Sequence, residues 1–190
     1  AAYDRGVRLV NLTWNYRNAL SGTNQTGGGL TEAGKRFVRT AQTLGVAVDL
    51  SHASDEAFWD TLEIAEKPVL AGHSSSRTLC GHPRNLTDEM FTALVKKGGV
   101  AGVNLYPAFL GEGAELETVF RHVEHYLSLG GEKAVCLGTD FDGIECTPAG
   151  IDGVQDMEKL YALMLRRGYS ETLTRDVFFG NLLEFLDRAL

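Results

Sequence analysis

Five short runs of this 190-residue chain are apolar almost without interruption: Arg8–Trp14, Val46–His52, Pro68–His73, Gly99–Tyr106 and Ala134–Asp140. A strand with one wet face alternates apolar and polar residues. A continuous apolar run belongs to a strand buried on both faces, as in parallel α/β sheets. Runs of helical period separate them, so the chain predicts a parallel sheet with helical crossovers.

Caps and stops place those helices. Thr31 is positioned to cap a helix carrying Phe37, Val38, Ala41 and Leu44, and Gly45 to stop it. Ser54 caps the next, with Phe58, Leu62 and Ala65 on one stripe and Pro68 beyond its end. Thr87 opens a third through Met90, Phe91 and Leu94, ended by Gly98–Gly99. Leu116, Phe120, Val123 and Leu127 mark a fourth, ended by Gly130–Gly131, and Met157–Leu165 and Leu173–Leu190 supply two more. The Gly-rich stretch Ser21–Leu30 is expected to be a long loop at the carboxyl end of the first strand. No repeat or linker divides the chain, so residues 1–190 form one domain.

A net charge of −7 makes a nucleic-acid backbone an unlikely partner. No apolar run approaches the roughly 18–20 residues that span a bilayer. Residues 1–8 lack a basic start followed by an apolar core, so no secretory signal is visible and a cytoplasmic location is expected. The three cysteines, Cys80, Cys136 and Cys146, have no CxxC spacing; they are expected to be small buried or partly buried thiols.

The polar residues at the strand ends carry the chemistry. Ser51-His52 ends the second strand, His73-Ser74 the third, Tyr106 the fourth and Asp140-Phe141-Asp142 the fifth. Adjacent parallel strands lie about 4.8 Å apart, so His52 and His73 can converge on one metal ion. Asp140 can ligate metal or handle the proton of a metal-bound water, while Asp142 reads as a turn former before Gly143. Arg84, on the loop after the second histidine strand, has the planar fork that holds a carboxylate bidentately. His82 beside it reads as structural or solvated.

Other features read as bland. His122 and His125 lack the i, i+4 spacing and embedded Glu of a zincin helix and fall off the apolar stripe, so both are expected on a solvated face. Met157, Leu160, Met164 and the Phe178, Phe179, Phe185 cluster follow helical spacing and read as core. Gly27–Gly29 matches neither phosphate-loop pattern, and no Gly-x-Ser-x-Gly elbow is present.

Seven segments together resemble the membrane dipeptidases (renal dipeptidase family): Leu9–Asn15, Leu30–Gly34, Val48–His52, His73–Arg77, His82–Asp88, Gly102–Tyr106 and Gly138–Gly143. The resemblance runs from Gly6 to the C-terminus. It implies a (β/α)₈ barrel of which strands four to eight and their helices are present, and a binuclear zinc hydrolase acting on dipeptides. On that pattern His52 and His73 are ligands of one zinc, and Asp140 is the catalytic carboxylate at the metal-bound water. Arg84 and Tyr106 contact the substrate.

The family's His-x-Asp motif and bridging glutamate are absent, and its fourth-strand histidine aligns with Trp14. The expectation is therefore an incomplete barrel that works only with an N-terminal segment of the same barrel. Five strands cannot close an eight-stranded barrel, so bare apolar edges are expected at its first and last strands. A homo-oligomer sharing edges is a further option. The alternatives are a non-catalytic binding or assembly module, and another metal-dependent hydrolase of the same barrel type, such as a lactonase or deaminase.

Overall fold

A computed structural model describes residues 2–190. Five strands form one parallel sheet: β1 (Leu9–Asn11), β4 (Ala47–Asp49), β5 (Leu70–Ala71), β6 (Val100–Val103) and β7 (Val135–Leu137), in that order. Every neighbouring pair is parallel, with Val10 opposite Val48, Asp49 opposite Leu70, Ala71 opposite Ala101, and Gly102 opposite Cys136. This is the expected parallel α/β arrangement, in the order expected for five consecutive barrel strands. The hydrogen-bonded ladders are shorter than the apolar runs, because the polar ends have already turned toward the site.

The helices are α1 (Glu32–Thr43), α2 (Asp55–Ile64), α3 (Asp88–Lys96), α4 (Pro107–Leu110), α5 (Leu116–Ser128), α6 (Met157–Arg166), α7 (Glu171–Arg175) and α8 (Asn181–Ala189). The hydroxyls of Thr31, Ser54 and Thr87 each accept the backbone N–H three residues on, as the sequence predicts. Leu173–Leu190 is not one regular helix: a π turn, Asp176–Gly180, separates α7 from α8. Such a widened turn re-aims the helix that follows it.

Alternation along the strands splits the core. Val48, Ala71, Ala101, Val103 and Val135 pack with the helices in the larger cluster, with Phe58, Phe91, Phe120 and Tyr126. Ala47, Leu70, Val100 and Cys136 face the other way and pack against Phe185 and Ala189 of α8. Lys67 Nζ reaches the carbonyls of Ala189 and Leu190, and Arg188 reaches Gly98 O. Those contacts lie just before β5 and β6, so α8 closes the amino ends of the strands. The carboxyl ends remain open for a site.

Further expectations change, and Phe179, read as core, is 50% exposed. Ser21–Leu30 is an antiparallel hairpin, β2 (Ser21–Thr23) and β3 (Gly27–Leu30), rather than a loop. It is fastened to α2, where Asp60 Oδ2 accepts from Leu30 N and Ser54 Oγ donates to Gly28 O. The two sheet edges differ: on β1 Leu9 is 40% exposed, whereas Asn181 Nδ2 caps Val135 O of β7 at 2.8 Å. Finally, Cys146 is exposed, not partly buried; all three thiols are free.

Candidate active site at the carboxyl ends of the strands

A cavity of about 600 Å³ opens at the carboxyl ends of the sheet. Its lining includes His52, His73, Arg84, Tyr106 and Asp140, all five of the residues singled out from the sequence. Trp14, Asn15, His82 and Glu145 also face it.

The two imidazoles meet. His52 Nε2 and His73 Nε2 are 3.0 Å apart, and His52 Nδ1 lies 3.2 Å from Asn15 Oδ1. Because Asn15 Oδ1 only accepts, His52 carries its proton on Nδ1 and offers Nε2 as a lone pair. In this geometry His73 must then donate from Nε2. Burial, reinforced by the charge of Arg84 and by His73, pushes His52 down to about 3. Burial also lowers His73, against the opposing pull of Asp49 and Asp140. Both rings are therefore neutral at neutral pH, the form that ligates metal.

Backbone strain marks the site. Among the described residues only His52 (φ 71°) and Asp140 (φ 62°) are non-glycine residues in the left-handed region. Each stands just past a strand end, where the chain turns abruptly to aim a side chain into the cavity. Asp140 Oδ2 accepts from Asn104 Nδ2 at 3.0 Å, and its carbonyl accepts Gly143 N at 2.8 Å. The turn that the sequence assigned to Asp142–Gly143 is thus closed by Asp140.

Arg84 is 6% exposed, and its Nε has no partner. One terminal nitrogen makes a long contact, 3.4 Å, to His73 O. Burial lowers its guanidinium to about 10, opposed by Asp49 and Asp140. It remains a cation at neutral pH, with most of its donors free for an anion. His82 is packed on Phe109, with ring centroids 4.5 Å apart, and its Nδ1 accepts Arg84 N. Tyr106 stacks edge-on to Phe109, and the Glu145 carboxylate holds its phenol above the usual value.

Sequence reasoning passed over Asn15, Asn104 and Asp49. Asn104 and Asp49 are buried, at 0% and 4% exposure. A detectable signal was present: a polar side chain inside an otherwise apolar strand run is costly unless it is bonded to something.

His52 and His73 suit one metal ion. With metal–nitrogen distances of about 2.0–2.1 Å, two ligands of one ion lie no more than about 4.2 Å apart, and this pair is well inside that. They fill only part of a shell, however. Among the described residues no group of three or more His, Cys, Asp and Glu is gathered to hold an ion. A bound divalent ion would supply a Lewis acid and a nucleophilic water. The chain's own residues would orient it, hold an anionic group at Arg84, and place a carboxylate at Asp140.

Parallel α/β packing with two imidazoles, a carboxylate and an arginine gathered at the carboxyl ends of the strands is the architecture of the metal-dependent hydrolases. Within that class the chain belongs to the membrane dipeptidases, peptidase family M19, whose family model matches residues 1–189. It is 35% identical over 200 residues to an uncharacterized protein in the pqqA 5′ region of Klebsiella pneumoniae, an alignment covering 98% of this chain and 73% of that one. It is 34% identical to dipeptidase verJ of Clonostachys rogersoniana, covering 97% of this chain and 49% of the relative. Among solved structures it superposes with a TM-score of 0.94 and 32% identity on a metallo peptidase from Rhodobacter sphaeroides liganded with a phosphinate mimic of the dipeptide L-Ala-D-Ala. That match covers all of this chain and 57% of the other. The chain thus spans about half the length of the relatives named as dipeptidases.

Proposed function

We propose that this chain carries the part of a zinc dipeptidase site built on strands four to eight of a (β/α)₈ barrel. The observation that carries the reading is the 3.0 Å approach of His52 and His73 Nε2 beside the buried, underused guanidinium of Arg84. In this reading the imidazoles hold one zinc, and Arg84 takes the free carboxylate of a dipeptide. Asp140, steadied by Asn104, accepts the proton of the attacking water, and Tyr106 borders the substrate. The remaining ligands come from outside these 190 residues, because the pair alone leaves a shell half filled.

Intact and native mass spectrometry with metal quantitation, run beside a dipeptide hydrolysis assay, tests this. The expected result is a larger polypeptide or a second fragment, about two zincs per barrel, and hydrolysis that Arg84→Met lowers about 100-fold or more in kcat/KM, a loss of about 2.7 kcal/mol. The incomplete ligand set also favours a second reading, a non-catalytic binding module. A metal-free species of this chain's mass without dipeptide hydrolysis would select that one. Submicromolar zinc affinity in the 190 residues alone would refute the half-filled shell.

A further inference from the structure

Asp49 ends β4 and is 4% exposed. By alternation it points to the same side as Ala47, toward the interior beneath the cavity. A carboxylate there is expensive unless strong donors meet it. Asp49 Oδ1 accepts two, Ser51 N at 2.8 Å and Gly72 N at 2.8 Å. Ser51 immediately precedes His52, and Gly72 immediately precedes His73. A third bond completes the frame: His73 N donates to Ser51 Oγ at 2.9 Å. The carboxylate lies so close over Gly72 that a Cβ there would meet Oδ2 at 2.5 Å.

We propose that Asp49 is the positioning residue that sets the apposition of His52 and His73, its single oxygen tying together the two strand ends that carry them. Charge-assisted bonds from a buried anion to two backbone amides are short and directional. Without them the two tips keep the Ser51 hydroxyl bond, the Leu50 N to Leu70 O bond further back and the contact between the rings themselves. His52 also loses a constraint on the turn that keeps it left-handed. The proposal rests on the metal-site reading for its purpose, but not for its geometry.

Asp49→Val in the full chain tests it, with Gln42→Ala as a control. Gln42 is buried and bonds to the backbone of Glu66 and Lys67, so its loss destabilises the fold away from the cavity. Two readouts are taken: the nuclear Overhauser contact between the two imidazole Hε1 protons without metal, and zinc affinity by competition with a chromophoric chelator. Asp49→Val, which removes the acceptor of both amides, is expected to lose the contact and to weaken zinc at least 10-fold, while Gln42→Ala leaves both unchanged at similar stability. Retention of the contact in Asp49→Val, or an equal loss in Gln42→Ala, would overturn the proposal. If Asp49→Val does not fold, Asp49→Asn, which keeps a neutral acceptor, serves instead, with a smaller loss in both readouts expected and no loss overturning the proposal. Weak zinc binding by the 190 residues alone is the expected baseline; absence of zinc from the larger polypeptide or reassembled barrel refutes the metal reading, and the imidazole contact still decides the role of Asp49.

Discussion

His122 gives the sharpest test of the packing argument. It is 0% exposed in α5. Its Nδ1 accepts Ser76 N at 3.1 Å, and its Nε2 donates to Leu110 O at 3.1 Å. The ring thus joins the serine loop after β5 to α4, two segments that frame the cavity. His122→Leu keeps the volume roughly constant but leaves a buried N–H and a buried carbonyl unpaired. At about 1–3 kcal/mol per orphaned group, the cost is about 2–6 kcal/mol. For a domain of this size that corresponds to a fall in Tm of about 5–20 °C. Burial holds His122 below its ordinary value. A lowered folded value means that the unfolded chain binds the proton first. The contribution is therefore complete above pH ~6.5 and is lost as pH falls below it, by up to about 1.4 kcal/mol per pH unit. Urea denaturation followed by circular dichroism between pH 7.5 and 5 measures both effects. His122→Leu should be less stable at neutral pH and show a shallower acid slope. His125→Ala, which removes only a part-exposed pair with Asp88, should cost less than about 1 kcal/mol. A change below about 0.5 kcal/mol in His122→Leu, with an unaltered slope, would refute the reasoning.

Other outcomes follow from the same packing. Phe185→Ala empties the contact between α8 and the inner sheet face and should cost about 3–5 kcal/mol in urea unfolding. Gly102→Ala places a Cβ 2.2 Å from Gly72 O, between neighbouring strands, and should abolish cooperative unfolding or soluble expression. In thiol labelling with an aromatic disulfide reagent, exposed Cys146 should react first. Cys136, fully buried with its thiol pushed up to about 12, should react only on unfolding.

The strands, their parallel order and the helix caps could be read from the sequence because each follows from a local rule: continuous apolar runs, a hydroxyl three residues before an amide, a glycine after the last turn. The five candidate residues that share the cavity could be named because four stand at strand ends, Arg84 stands on the loop after one, and all match a family's motifs. What escaped depends on contacts distant in sequence. A single stripe of α5 puts His122 on the solvated face, yet Val119 and Tyr126 flank it on a second buried row. That helix packs against α6 as well as the sheet, and so buries a wider face than a single stripe. The Ser21–Leu30 hairpin escaped because its anchors, Ser54 and Asp60, belong to the next helix. The role of Asp49 is not legible within Val-Asp-Leu-Ser-His, because one of its bonds reaches another strand.

The left-handed backbone at His52 and Asp140 gives these two positions a place in the chain's history. Each conformation costs about 1–3 kcal/mol with a side chain present and nearly nothing with glycine. If the proposed chemistry rests on the His52 imidazole and the Asp140 carboxylate, a copy of this gene under selection for it keeps both despite that cost. A copy released from it gains stability by the first glycine or asparagine to arrive at either site. Positions 52 and 140 are therefore where working and retired lineages of this chain should part, and a comparison of their sequences would distinguish them before any assay is run.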